Sequence, residues 1–233
     1  MKDFAARLTA LRARIESAAR RSGRPAQDIT LLAVSKTFPA EAVREALVCG
    51  LSRFGESRIQ EALPKMEAVG SGPEWHFIGH LQRNKVNRAV GAFALIHSVD
   101  SLALAERIDF IAGERGVVQP LLIEVNAARE AQKNGVAVEQ AEALARAIGR
   151  LPHLRLTGLM GMAPYSDDPE RARPVFRELA GLFHHIARQG YHGVQMQTLS
   201  MGMSGDFEVA VEEGATLVRV GGALFGERNR GVA

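Results

Sequence analysis

Short apolar runs and helical periods alternate along almost the whole chain. After a helical pattern over residues 2 to 22, strand-like runs occur at Leu31–Lys36, Ser52–Glu56, Glu74–Gly79, Leu95–Asp100, Pro120–Asn126, Leu154–Met162, Met196–Met201 and Thr216–Gly221. Between them, residues 39–50, 57–69, 81–91, 101–115, 136–150, 169–189 and 204–213 place apolar side chains at helical spacing. Strict alternation of strand and helix predicts a parallel sheet, and eight such units are what a closed (β/α)8 barrel of the TIM type requires, with the first helix as an addition. An open doubly wound sheet is the alternative, but no G-x-G-x-x-G follows a strand and no Walker-type Gly-Lys-Ser/Thr is present. No Pro/Gly/Ser-rich linker divides the units, so residues 1–233 read as one domain.

Sites in such barrels lie at the carboxyl ends of the strands, and polar residues gather there in this chain. By alternation Leu32, Val34 and Lys36 share a face, which aims Lys36 inward at the end of the first strand. An ammonium there is either a desolvated Schiff-base amine or a side chain snorkelling to solvent. The last two strands run into Ser200-Met201-Gly202-Met203-Ser204-Gly205-Asp206 and Gly221-Gly222. Ser204 is placed to cap the helix over 204–213, with Asp206 in its first turn. The loops after strands seven and eight are the usual phosphate cradle of these barrels, although an isolated Gly-Gly also suits a tight turn.

Arg219 shares a face with Leu217 and Gly221, so an inward Leu217 implies an inward guanidinium in need of an acceptor. An inward lysine, an inward arginine and a phosphate cradle around one mouth suggest pyridoxal phosphate (PLP): Lys36 as its aldimine, Arg219 at the pyridine nitrogen and the loops on the phosphate. An Arg219–Glu124 ion pair inside the barrel is the structural alternative. His76 and His80 have the i, i+4 spacing of a metal pair, but on a strand end and without a carboxylate motif, so no metal is expected.

Composition narrows the classes. A hydrophobic fraction of 46% over 233 residues can fill one large core. No apolar run of membrane length and no secretory start is present, which reads as a cytoplasmic chain. The single cysteine, Cys49, excludes an internal disulfide and paired-cysteine zinc. The 29 basic residues are offset by 26 acidic ones without a basic block, and two tyrosines and one tryptophan give no stacking platform, so nucleic acid is not an expected partner.

Long ordered motifs then carry a resemblance: Ala33-Val34-Ser35-Lys36, Phe54-Gly55-Glu56, Trp75-His76-Phe77-Ile78-Gly79-His80-Leu81-Gln82-Arg83-Asn84-Lys85, His97-Ser98-Val99-Asp100, Leu199-Ser200-Met201-Gly202-Met203-Ser204 and Arg219-Val220-Gly221. Together they closely resemble the pyridoxal-phosphate homeostasis protein family over nearly the whole chain. The resemblance implies an alanine-racemase-like barrel that holds PLP through Lys36, with no established catalytic turnover and a role in vitamin B6 and amino-acid homeostasis. A monomer is expected, with PLP-dependent apo-enzymes as candidate recipients. It implies phosphate contacts from Ser200 and the Gly221-Gly222 backbone and a ring-nitrogen contact from Arg219. Met201, Gly202, Ser204, Ser57, His80 and Met160 complete the expected cofactor-binding set. Two positions depart from the family pattern: Ser57 replaces the usual asparagine and Gly222 the usual threonine.

Racemases resembling this barrel add a β domain and a tyrosine base opposite the lysine. Here the chain ends at Ala233 and only Tyr165 lies near a strand end, so a non-catalytic PLP-binding protein is expected. An arginine at the ring nitrogen also disfavours its protonation and weakens the electron sink. The alternatives are a small PLP-dependent racemase and a phosphate-sugar enzyme in which Lys36 forms a substrate imine.

Overall fold

The structure is a computed structural model that describes residues 2–130 and 132–226. Helix α1 (Lys2–Arg21) precedes strands β1 (Thr30–Val34), β2 (Arg53–Glu56), β3 (Glu74–Phe77), β4 (Leu95–Val99), β5 (Gln119–Val125), β6 (Leu154–Gly161), β7 (Val194–Ser200) and β8 (Leu217–Val220). Helices α2 (Ala40–Val48), α3 (Ile59–Val69), α4 (Val86–Ala89), α5 (Leu102–Glu114), α6 (Val138–Ile148), α7 (Arg173–Gln189) and α8 (Phe207–Glu212) connect them, and α9 (Gly222–Phe225) follows β8. The strands pair in sequence order, all parallel, and β1 pairs with β8 to close the barrel. Both the expected (β/α)8 architecture and its added first helix are therefore present.

Parallel Cα partners share a face, so the register identifies the barrel interior. Leu32 lies beside Arg219, Gly55 beside His76, His76 beside Leu95, and Glu124 beside Met160, which in turn lies beside Ser200. Buried Leu95, Leu122 and Met160 form a small apolar cluster of their own. The larger core, which includes Ala33, Phe54, Trp75, Ile96, Leu121, Ile123, Leu159 and Val218, fills the space between strands and helices. The two layers follow from strand alternation, one face turned to the lumen and the other to the helices.

Two irregularities keep chemistry-bearing residues in the lumen. Strand β6 shifts register against β5 between Leu156 and Gly158, a bulge that breaks the alternation and turns Met160 inward. Gly158 sits at φ +154°, where an added Cβ would lie 1.8 Å from the Thr198 carbonyl oxygen. Only glycine fits that approach. Strand β4 is likewise irregular between Ile96 and Val99, around the buried His97.

Two expected details, and one structural alternative, are not what the structure shows. The pattern over 81–91 gives only a 3-10 turn at Arg83–Lys85 and the four-residue α4, because buried Leu81 and Val86 are five positions apart and break the helical period. Ser204 does not cap α8, which begins at Phe207 with Asp206 at its N-cap. The Asp206 carboxylate accepts the Met203 N–H at 2.6 Å, closing a turn over residues 203–206 that delays the helix. Arg219 does not bond Glu124 but donates to Ser200 and Gly161.

Candidate functional site

The carboxyl ends of β1, β6 and β8 and the loop after β7 surround a cavity of about 480 Å³, within the usual range for a small-molecule site. Six expected site residues line it: Lys36, Met160, Ser204, Arg219, Gly221 and Gly222. Ser57, His80, Ser200, Met201 and Gly202 do not. Ser57 is half-buried in the loop after β2, while His80 is exposed, 3.8 Å from Asp100. His76 points instead into the lumen toward His97, so the two histidines of the metal-like spacing are apart. Among the described residues no group of three or more His, Cys, Asp or Glu side chains could hold a metal ion.

Lys36 lies two residues beyond β1, on a segment braced from below. The buried Lys65 ammonium donates to the Ser35 carbonyl at 2.8 Å, to Glu56 at 2.7 Å and to Glu61 at 3.1 Å. Ser35 Oγ donates to the same Glu56 oxygen at 2.7 Å, and the Thr37 N–H donates to Glu61. Thr37 takes φ +69°, an uncommon conformation for a threonine that these contacts hold in place. Burial pushes the Glu56 carboxyl up, partly offset by its bonds from Lys65 and Ser35. The flanks of Lys36 are thus fixed while its side chain reaches the cavity.

Arg219, on the neighbouring strand β8, also lines the cavity. Only 5% exposed, it donates to the Ser200 carbonyl at 2.8 Å, to Ser200 Oγ at 2.7 Å and to the Gly161 carbonyl at 3.1 Å. Burial lowers the guanidinium to about 10, against the attraction of Asp206 and Glu124, so it remains a cation at neutral pH. Ser200 is fully buried with its hydroxyl on Arg219 and His97, a partnership that sequence spacing did not reveal. The carboxyl of buried Glu124 rises to about 7 through desolvation and the neighbouring Asp100, eased by Arg219.

The loops after β7 and β8 meet where the Ala223 N–H donates to Ser204 Oγ at 3.4 Å. Gly221 packs so closely on β1 that an added Cβ would lie 3.2 Å from the Val34 carbonyl oxygen, while Gly222 faces open space. Gly202, at φ +88°, lets α8 approach: a Cβ there would lie 2.5 Å from that of Ala210. Bare backbone beside a lysine and an arginine suits an anion with a carbonyl and a ring acceptor. At the lip Lys133, Met203 and Tyr165 also line the cavity. Tyr165 is 92% exposed, and its hydroxyl donates to Asp167 at 3.1 Å, which holds the phenol above its ordinary value.

With this geometry in view, the known proteins similar to the chain can be placed. The family model for the alanine racemase N-terminal domain matches residues 6–229. The pyridoxal phosphate homeostasis protein of Aquifex aeolicus is 47% identical over 95% of this chain and 97% of its own length. The protein of the same name from Escherichia coli K12 is 39% identical over 98% of each chain. Among solved structures, PipY of Synechococcus elongatus with PLP bound superposes with a TM-score of 0.83 at 37% identity, covering 96% of this chain and 100% of PipY. The chain therefore belongs to the pyridoxal phosphate homeostasis protein family, built on the alanine racemase N-terminal domain fold.

Proposed function

We propose that the protein binds PLP reversibly in the cavity between Lys36 and Arg219 and acts in cytoplasmic PLP and amino-acid homeostasis without catalysing turnover. The observation that carries this reading is the convergence of Lys36, the buried Arg219 and a bare glycine backbone on a single cavity. Lys36 supplies the amine that condenses with the cofactor aldehyde. Arg219, a donor without acceptor capacity, faces the pyridine nitrogen and keeps it unprotonated. The backbone N–H groups of Gly221 and Gly222 and the Ser204 hydroxyl receive the phosphate, and Met160 packs against the ring. Ser200 serves through Arg219, Met201 and Gly202 shape the loop, and Ser57 and His80 stay outside the lining. When bound, PLP would supply an electrophilic aldehyde and a conjugated ring.

Relatives named for PLP homeostasis and the PLP-bound PipY support the assignment. Titrating the purified protein with PLP and following the visible absorption band tests it. The parent is expected to develop the band of a lysine imine, and Lys36→Ala to bind more weakly without that band. A parent that develops no such band contradicts the reading.

A further inference from the structure

A chain of hydrogen bonds crosses the barrel beneath the cavity. Arg219 Nη1 donates to Ser200 Oγ at 2.7 Å, Ser200 Oγ lies 3.0 Å from His97 Nδ1, and His97 Nε2 lies 3.0 Å from His76 Nδ1. His76 Nε2 then lies 2.8 Å from Glu74 Oε1, at the start of β3 and so at the opposite end of the barrel from the cavity. Glu74 is 44% exposed, whereas Ser200, His97 and His76 are buried.

We infer that Ser200, His97 and His76 are positioning residues for Arg219, forming a relay whose proton order is set by the Glu74 carboxylate at the far rim. The inference rests on the PLP reading of the cavity. Its logic is a count of donors and acceptors. The guanidinium at one end can only donate and the carboxylate at the other can only accept. With both imidazoles neutral one order satisfies every link: Arg219 donates to Ser200, Ser200 to His97 Nδ1, His97 Nε2–H to His76 Nδ1, and His76 Nε2–H to Glu74. The reverse order needs one more proton at His76 or Glu74 and leaves the Ser200 hydroxyl hydrogen without its acceptor in the chain. An unpaired buried donor is costly.

The charges around the relay favour the first order. Besides Glu74 on its own strand, His76 faces His97 on β4; Arg53 on β2 holds the other Glu74 oxygen at 3.3 Å, and Arg219 on β8 acts through Ser200. Gly55 and Leu95, its register partners, carry no charge. Complete burial, with His76 and Arg219 nearby, keeps His97 far from its charged form, and the bond from His76 holds Glu74 ionised. The Glu74 charge thereby orients the Ser200 hydroxyl, and Ser200 with Gly161 holds the guanidinium.

Nitrogen NMR of labelled histidines in the cofactor-free parent reads the order directly. His97 and His76 are expected as neutral imidazoles with the proton on Nε2. A proton on His97 Nδ1, or an imidazolium at His76, at neutral pH would overturn the relay. Glu74→Gln places at the rim an amide that can donate or accept. It is expected to give His97 a mixed tautomer and to weaken PLP binding about threefold to tenfold, the worth of one hydrogen bond. Arg53→Gln removes the ion pair but keeps the carboxylate, and should leave both readouts at parent values. Unchanged tautomers and affinity in Glu74→Gln refute the coupling. Failure of the parent to bind PLP would instead sink the cofactor reading, leaving the tautomers of the cofactor-free protein to decide the relay.

Discussion

Glu124 is a buried carboxyl raised to about 7, and its ionisation should be visible in the stability of the barrel. It binds its proton more tightly folded than unfolded, so its contribution is favourable at low pH. That contribution is lost as pH climbs from the ordinary carboxylate value through about 7. Glu124→Gln should therefore gain on the parent across that interval and keep a constant lead above it, at most about 3 kcal/mol. Denaturant midpoints measured from pH 4 to pH 9 check the sign; a lead that shrinks with pH refutes it. At the cavity, Gly221→Val should weaken PLP binding far more than Ser57→Ala, since charge-assisted N–H bonds to phosphate contribute roughly 1.5–3 kcal/mol each. Comparing the two dissociation constants decides, and a larger loss in Ser57→Ala would move the phosphate elsewhere. Lys36 and Arg219 were legible in the sequence because strand alternation alone aims them. Ser200 was expected at the phosphate only through the family resemblance; its bonds to His97 and Arg219 were not legible, because those partners lie on β4 and β8, far apart in the chain.

At the scale of elements, the end of β1 depends on α3 and β2 through Lys65, Glu56 and Glu61. The Lys65 and Glu56 side chains are 6% and 0% exposed, so removing one partner strands a buried charge. Lys65→Met should cost about 3–5 kcal/mol of stability and also weaken PLP binding, by loosening the Ser35–Thr37 segment. Lys65→Met with Glu56→Gln should recover part of the stability. Chemical denaturation of both variants tests this, and a double variant no more stable than the single one would contradict it. Hydrophobic period located all eight strands, while the bulge at Leu156–Gly158 stayed hidden. A bulge changes register against a neighbour, which one strand's alternation does not encode. The shortness of α4 was encoded in the five-residue step from Leu81 to Val86, across the polar run Gln82-Arg83-Asn84-Lys85.

At the scale of the molecule, the cavity holds Lys36 and, at the lip, Lys133 and a tyrosine whose phenol is exposed and engaged with Asp167. Two-base racemisation needs a base within reach on each side of the carbon acid. L-Alanine incubated with the PLP-loaded protein in deuterated water should show at most slow label uptake with retained configuration. Inversion at ordinary enzymatic rates, about 1–1000 per second, would make it a racemase. The central claim, that the first strand aims Lys36 at PLP, has its most direct test in borohydride reduction of the PLP-loaded protein followed by peptide mass mapping. The account predicts a pyridoxyl adduct on the peptide carrying Lys36. An adduct confined to another lysine, such as Lys133 at the lip or Lys85 after β3, would contradict it.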